Sequence, residues 1–296
     1  MYPDEFDYER PSTVEAAIDC KIDHPEAEIL AGGHSLLPTM KSGLASPDTL
    51  IDISTIDSLQ GIDADGDTVS IGALTTYATV ADSEMVTENV TVLAEAAHAV
   101  GDVQVRNRGT VGGNLAHADP ASDLPAAALA ADATMVVQGP DGERRVDADD
   151  FFFGMYATDV GEDELLTRVE FPARPDATGA YAKKPSPSSG YAMVGVAVSL
   201  TVDAGLVEDV GVAANGIMDH GVRLDPVEEA LHGTNLDDET AAAAAEQAAA
   251  ELDEVMMMDD LQASAEFRAQ LLERYAERAI REASTGTGLV AGAGSP

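Results

Sequence analysis

The chain has 296 residues, with 16 Lys+Arg against 54 Asp+Glu and a formal net charge of −38, which excludes most modes of binding to nucleic acid and to anionic membranes. Forty-five per cent of the residues are hydrophobic, enough to bury two or three packed units, so the acid covers a folded chain and does not signal disorder. The acids are dispersed and only four basic residues are lysines, Lys21, Lys41, Lys183 and Lys184, as in a halophile's surface, where a Debye length of about 3 Å at 1 M salt removes the mutual repulsion.

The N-terminus, MYPDEFDYERPSTVEAAID, has neither a basic n-region nor an apolar h-region, so no secretory signal is expected. No apolar run reaches the ~18 residues of a membrane span. Cys20 is the single cysteine and no internal disulfide can form; a reducing, cytoplasmic location is the expectation. Residues 6–9 read as a strand, and a helix through residue 22 follows, with Ser12 three residues before Glu15 in capping-box spacing. Residues 27–31 form a strand running into Gly32-Gly33, and residues 49–53 a second strand after the Pro47-Asp48 turn. That closes an α/β unit near residue 55. Strands at 61–63 and 68–71 flank the Asp65-Gly66 turn and open a second unit, followed by helices at 76–83 and 92–100. Residues 106–124, rich in Gly, Asn and Asp and without periodicity, predict a long ordered loop of the kind that is usually functional. Beyond it come a helix at 125–131, a strand at 134–138, the turn Pro140-Asp141-Gly142, a strand at 166–171 ended by Pro172, and a linker at 173–179. The third portion has strands at 180–184, 191–202 and 206–213, the last two around Asp203-Ala204-Gly205. Two helices end it: an alanine-rich one at 239–252 and one at 264–281 with Phe267, Leu271, Leu272, Tyr275 and Ala279 at core-facing spacing.

Two segments carry chemistry: Ala31-Gly32-Gly33-His34-Ser35-Leu36, and Thr110-Val111-Gly112-Gly113-Asn114. Adjacent glycines admit positive φ and close approach, so successive N–H groups can converge on a phosphate without a cationic side chain. That suits a chain with few cations. Ser35, Thr110 and Asn114 add hydroxyl or amide hydrogen bonds to a diphosphate or sugar. Neither segment matches G-x-G-x-x-G or G-x-x-x-x-G-K-S/T, so neither a Rossmann site nor a P-loop is expected. One Gly-Gly pair alone reads equally as a tight turn; two together favour a bound cofactor.

The stretches AGGHSLLPTMKSGL (31–44), VGDVQVRNRGTVGGNLAHADPASDLPAA (100–127), DDFFFGMYATDVGEDELLTRVEFP (149–172), YAKKPSPSSGYAMVGVAV (181–198) and DLQASAEFRAQLL (260–272) together resemble the FAD-binding medium subunit of molybdenum hydroxylases, the carbon monoxide dehydrogenase, xanthine dehydrogenase and aldehyde oxidase type. The resemblance runs from about residue 6 to residue 283. It implies an α+β fold: a PCMH-type (vanillyl-alcohol-oxidase-like) FAD-binding domain of two α/β subdomains, 1–55 and 56–176, then a C-terminal α+β domain, 177–283, and a disordered tail, 284–296.

FAD is the implied cofactor. By the resemblance, residues Ala31, Gly32, Gly33, His34, Ser35 and Leu36 wrap its pyrophosphate, joined by Thr110, Gly112, Gly113 and Asn114. Asp123 hydrogen-bonds the cofactor, although it is also placed to cap a helix beginning at Leu124. Leu166 meets the adenine side through its backbone, and Lys183, in a Tyr-x-Lys pattern, lies near the flavin ring, with Lys184 turned to solvent. Arg106 and Arg108 are expected to fix the loop, His34 to matter through its backbone, and His117 to be structural. No catalytic acid, base or metal ligand is assigned to this chain.

The implied partners are a molybdopterin-binding large subunit and a [2Fe–2S] small subunit, arranged as a dimer of heterotrimers. Electrons would pass from the [2Fe–2S] subunit to FAD in this chain and on to an external acceptor. The alternative is a free-standing flavin oxidoreductase acting directly on an organic substrate. A flavin-free scaffold is a third reading, against which the presence of both glycine segments argues.

Overall fold

In the computed structural model, which describes residues 2–285, the chain opens on a small parallel sheet. Strands β1 (Asp7–Glu9), β2 (Glu28–Leu30) and β3 (Thr49–Asp52) lie in the order β1-β3-β2. Parallel neighbours need crossovers, and helices Val14–Asp23 and Leu36–Ser42 supply them. The first helix turns Val14, Ala17 and Ile18 into a core with Ile51, Ile53 and Ile56. Its cap is Thr13, whose Oγ1 accepts the Ala16 N–H at 3.1 Å. The expected Ser12–Glu15 box is therefore displaced by one residue, because Thr13 is the last residue with extended backbone before the helix.

The second sheet is antiparallel at every pairing. It comprises β4 (Ile62–Asp65), β5 (Thr68–Gly72), β6 (Thr134–Gly139) and β7 (Gly142–Asp147); a short ribbon of β8 (Phe152–Gly154) and β9 (Ala157–Thr158) precedes its last strand, β10 (Leu165–Pro172). The order is β4-β5-β10-β6-β7. A bulge in β10 between Leu166 and Arg168 shifts the register by one, so Leu166 and Val169 both contribute to the core although they stand three positions apart, an offset that puts residues of a regular strand on opposite faces. Helices Thr91–Ala99 and Leu124–Ala130 are buried in that core.

Residues 106–124 do not form the long loop expected of them. Helix Val111–His117 occupies the middle, after the short helix Val103–Arg106, and helix Leu124–Ala130 follows. Gly and Asn have poor helix propensity; here Thr110 caps the turn and tertiary packing requires the glycines, which overrides it.

Strands β11 (Thr178–Pro185), β12 (Ala192–Asp203), β13 (Leu206–Asn215) and β14 (Val222–Arg223) make an antiparallel third sheet in sequence order. Because β11 starts at Thr178, the expected linker shortens to 173–177. Helices Asp225–Leu231, Asp238–Ala245 and Ala265–Thr285 pack on this sheet. The alanine-rich helix stops at Ala245, well short of residue 252, and Asp225–Leu231 was not anticipated. On the last helix Leu272, Ala276, Ala279, Ile280 and Ala283 are buried, while Phe267, expected to face the core, is 44% exposed. Arg268 takes the inward position instead, donating from Nη1 to the carbonyls of Met193 and Gly216 and from Nη2 to Asp260. The helix also includes Ser284 and Thr285, assigned above to the tail; residues 286–296 of that tail lie outside the described residues.

Two backbone hydrogen bonds join the third sheet to the middle of the chain: Gly216 N–H to Pro120 O at 2.7 Å and Ala192 N–H to Ala121 O at 3.1 Å. Among the described residues no helix is long and apolar enough to cross a membrane.

Candidate functional site

The two glycine segments, some 75 residues apart in sequence, meet. Gly32 lies so close to the chain at Arg108 and Gly109 that an added Cβ would overlap the Arg108 carbonyl oxygen and sit 3.0 Å from Gly109 Cα. Between the segments runs a cleft of about 630 Å³, lined by residues 31–36, by Thr110, Gly112, Gly113 and Asn114, and by Leu165 and Leu166 of β10. Its size lies in the range of about 300–1,000 Å³ typical of small-molecule sites.

The segments contribute differently. In the first, between β2 and helix Leu36–Ser42, Gly33 has φ +72°, a conformation that only glycine adopts without strain. Among the described residues the backbone N–H groups of Gly32, Gly33, His34 and Ser35 reach no protein acceptor. Four successive free donors on a cleft wall are suited to an anionic ligand. His34 turns its ring back, with Nδ1 3.1 Å from Gly32 O, so its side chain serves the loop.

In the second segment neither glycine has positive φ. Both lie in the first turn of helix Val111–His117, and their N–H groups are engaged by the protein: Gly112 donates to Ala73 O at 2.8 Å and Gly113 to Thr110 Oγ1 at 3.2 Å. The expectation that both pairs supply free N–H groups is thus corrected for the second. Glycine is required there by contact, since a Cβ at Gly112 would overlap that of Ala73. Asn114 is fixed at both ends: its Nδ2 donates to the Tyr77 hydroxyl at 2.9 Å and its Oδ1 accepts from Ser122 Oγ at 2.7 Å.

Asp123 and Lys183 are not among the lining residues. They face each other one layer behind the wall, with Lys183 Nζ 2.9 and 3.1 Å from the two carboxylate oxygens of Asp123 and 3.0 Å from Gly190 O. The side chains are 5% and 10% exposed, respectively. Asp123 holds the N-cap position of helix Leu124–Ala130, but its backbone is already helical and its side chain makes no capping bond. Burial raises its carboxyl above the usual range, against the opposing pull of Lys183 and Tyr181. Tyr181 donates its hydroxyl to Asp123 Oδ1 at 2.6 Å, and burial beside that carboxylate pushes the phenol well above its ordinary pKa.

Tyr181 is the residue the sequence reading passed over. The signal was present, because Tyr-x-Lys spacing on a strand puts both side chains on one face. Tyr77, Tyr156 and Tyr191 were also missed. Tyr77 is buried beneath Asn114. Tyr156, at φ +58°, places its ring 4.9 Å from that of His117, and both line the cleft. Tyr191 approaches the Ser35 side chain from the loop before β12. Arg106 fixes its loop as expected, donating to Val100 O at 3.0 Å. Arg108 is exposed beside Gly32.

Most of the chain is similar to known proteins. A family model described as the FAD binding domain in molybdopterin dehydrogenase matches residues 4–174, and a second, the CO dehydrogenase flavoprotein C-terminal domain, matches residues 179–283. The chain is 36% identical over 280 residues to the nicotine 6-hydroxylase medium subunit of Paenarthrobacter nicotinovorans, covering 95% of this chain and 98% of that one. It is 36% identical over 285 residues to the carbon monoxide dehydrogenase medium chain of Hydrogenophaga pseudoflava, covering 96% and 98%. A solved structure of carbon monoxide dehydrogenase from Hydrogenophaga pseudoflava, lacking the Mo-pyranopterin moiety of the molybdenum cofactor, superposes with a TM-score of 0.92 at 37% identity, covering 97% of this chain and 99% of that one.

Proposed function

The chain belongs to the FAD-binding medium subunits of molybdenum hydroxylases, and from that membership we propose how its residues serve as the electron exit of such a complex. The observation that carries the reading is the meeting of the two glycine segments on one cleft, with four free N–H groups on one wall. FAD, when bound, supplies the redox centre between the [2Fe–2S] subunit and an external acceptor.

The chain's own residues bind and orient. The N–H groups of Gly32, Gly33, His34 and Ser35 hold the pyrophosphate, and Ala31 and Leu36 complete that strand-to-helix turn. Thr110, Gly112, Gly113 and Asn114 form the opposite wall, with Leu166 presenting its backbone toward the adenine. Asp123 and Lys183 act on the flavin end from behind the wall. A diphosphate held by backbone donors needs no surface lysine, so a net charge of −38 is compatible with an anionic cofactor.

The partners are a molybdopterin-binding large subunit and a [2Fe–2S] small subunit, in a dimer of heterotrimers within the cytoplasm of a salt-adapted cell. In this reading the chain divides at residues 55 and 176, the cleft lying between the first two parts and the third part closing over it. Purification of the full chain in concentrated salt, followed by its flavin absorption spectrum, tests the reading. Bound or reconstitutable FAD is expected, and a chain that takes up none refutes it. Co-purification with iron–sulfur and molybdenum subunits is the second test; a catalytically competent lone subunit would favour the free-standing oxidoreductase instead.

A further inference from the structure

We infer that Tyr181 is a positioning residue for the cofactor cleft: its hydroxyl fixes the Asp123–Lys183 pair, and through Ser122 the Asn114 wall. This rests on the reading that the cleft holds FAD.

Three observations carry it. The first is the bond itself, a buried hydroxyl 2.6 Å from Asp123 Oδ1, on the same carboxylate that receives Lys183. The second is that the sheet is built around that hydroxyl. Gly195 on β12 stands opposite Lys183 on β11, and Asn215 on β13 stands opposite Gly195. A Cβ at Gly195 would overlap the Tyr181 hydroxyl oxygen and come within 2.9 Å of Asn215 Oδ1, so the missing side chain leaves the slot the phenol occupies. Asn215 is fully buried and lies with Oδ1 3.1 Å from the same hydroxyl. The third is that Tyr181 is also held by its backbone, whose N–H donates to buried Glu95 Oε2 at 2.8 Å.

The connection to the cleft is short. Ser122, adjacent to Asp123, anchors Asn114 Oδ1; Lys183 holds the carbonyl of Gly190, next to Tyr191, which approaches Ser35 on the other wall. Facing Asp123 are Lys183 and Tyr181 from β11, Tyr77 from helix Tyr77–Ala81 and Tyr191 from the loop before β12. Lys183 is the cation of that group. Without the phenol, the buried carboxylate keeps the ammonium alone and protonates more readily on acidification.

The test uses the full-length chain with Tyr181→Phe and, independently, Gly195→Ala, which keeps the phenol but fills its slot. In ¹⁵N-lysine-labelled wild-type protein without FAD, one of the four lysines should give a slowly exchanging ammonium signal, and both variants should lose it. Flavin-fluorescence titration should show FAD affinity reduced roughly tenfold or more at neutral pH, as for a lost hydrogen bond to a charged group. In both variants the loss of affinity on acidification should begin at a higher pH than in wild type. Wild-type affinity and pH profile in both variants would overturn the inference, as would a wild-type chain with no immobilised ammonium, or a uniform weakening with an unchanged pH profile. If Tyr181→Phe does not fold, Gly195→Ala and the wild-type ammonium signal decide. Failure of the wild-type chain to bind FAD would refute the proposed function, while the ammonium signal would still judge the cluster.

Discussion

Gly112→Ala adds one methyl group at the point where the helix carrying half of the cleft wall touches the second sheet. The new Cβ would overlap Ala73 Cβ and sit 2.7 Å from Ala73 Cα and 2.9 Å from Ala73 O. Carbon atoms rest at about 3.5–4.0 Å, so the helix must retreat by roughly 1 Å. The retreat breaks the Gly112 N–H bond to Ala73 O, at 2.8 Å, and the Val111 N–H bond to Thr75 O, at 3.0 Å. Overpacking of this kind costs about 1–3 kcal/mol and each lost bond about 1 kcal/mol. Alanine recovers about 1 kcal/mol of helix propensity. The net loss is about 2–4 kcal/mol, which lowers Tm by roughly 3–6 °C for a chain of this size. Because Asn114 rides on the same turn, FAD affinity should fall with stability. Thermal unfolding by circular dichroism in concentrated salt, paired with FAD titration, measures both. Gly43→Ala is the control: φ is +77° with open space around it, so it should cost about 1 kcal/mol of backbone strain and leave FAD binding intact. If Gly112→Ala keeps the wild-type Tm and FAD affinity, contact with Ala73 is not why glycine stands there.

Burial pushes Glu95, 8% exposed, up to about 7, above its unfolded value near ~4.3. The folded chain therefore binds the proton more tightly, and the stability this contributes, full below the unfolded value, is lost as pH rises through about 7, by roughly 3 kcal/mol. Glu95→Gln should remove that slope; a wild-type-to-variant difference in stability that is constant from about pH 5 to about pH 8 would refute it. Asp123→Asn leaves the Lys183 ammonium buried without a counter-charge and should lower stability by about 3–5 kcal/mol, read from the denaturant midpoint; a loss below about 1 kcal/mol, as for a surface pair, would show that the two groups are not coupled. Lowering KCl from about 3 M to about 0.1 M should weaken FAD retention and lower Tm, and full stability in dilute buffer would mean that the acid excess serves something other than salt adaptation.

The two glycine segments were legible because two Gly-Gly pairs, each beside a hydroxyl or amide side chain, together make a local signal, whereas Leu166 was placed only by the resemblance. The reason glycine is present was only half legible. At Gly33 the backbone conformation demands it, as sequence reasoning supposes, whereas at Gly112 the demand comes from Ala73, 39 positions earlier, and no local pattern contains that contact. The same limit explains residues 106–124: propensity reads Gly, Asn and Asp as a loop, and the packing that makes part of it helical is tertiary. Asp123 and Lys183 were found as chemically significant, but that they pair with each other across 60 positions was not visible. Tyr181 was within reach, through strand periodicity, had the tyrosine of Tyr-x-Lys been given the same weight as the lysine. Arg268 was hidden inside an amphipathic stripe whose apolar members drew the attention; a buried arginine there is intelligible only once the carbonyls of Met193 and Gly216 are seen to converge on it.

Those carbonyls belong to residues beside or within the junction that holds Pro120 and Ala121. The short segment at 173–177 therefore looks like a place to cut the gene, yet the chain on either side is interlocked three residues before Asp123. A chimera that joins the first half of one relative to the last hundred residues of another would inherit two surfaces selected for different mates. Changes at positions 120–123 and at 192–195, 215–216 and 268 would be expected to travel together through descent, so the heritable unit of this subunit is larger than either of its folded halves.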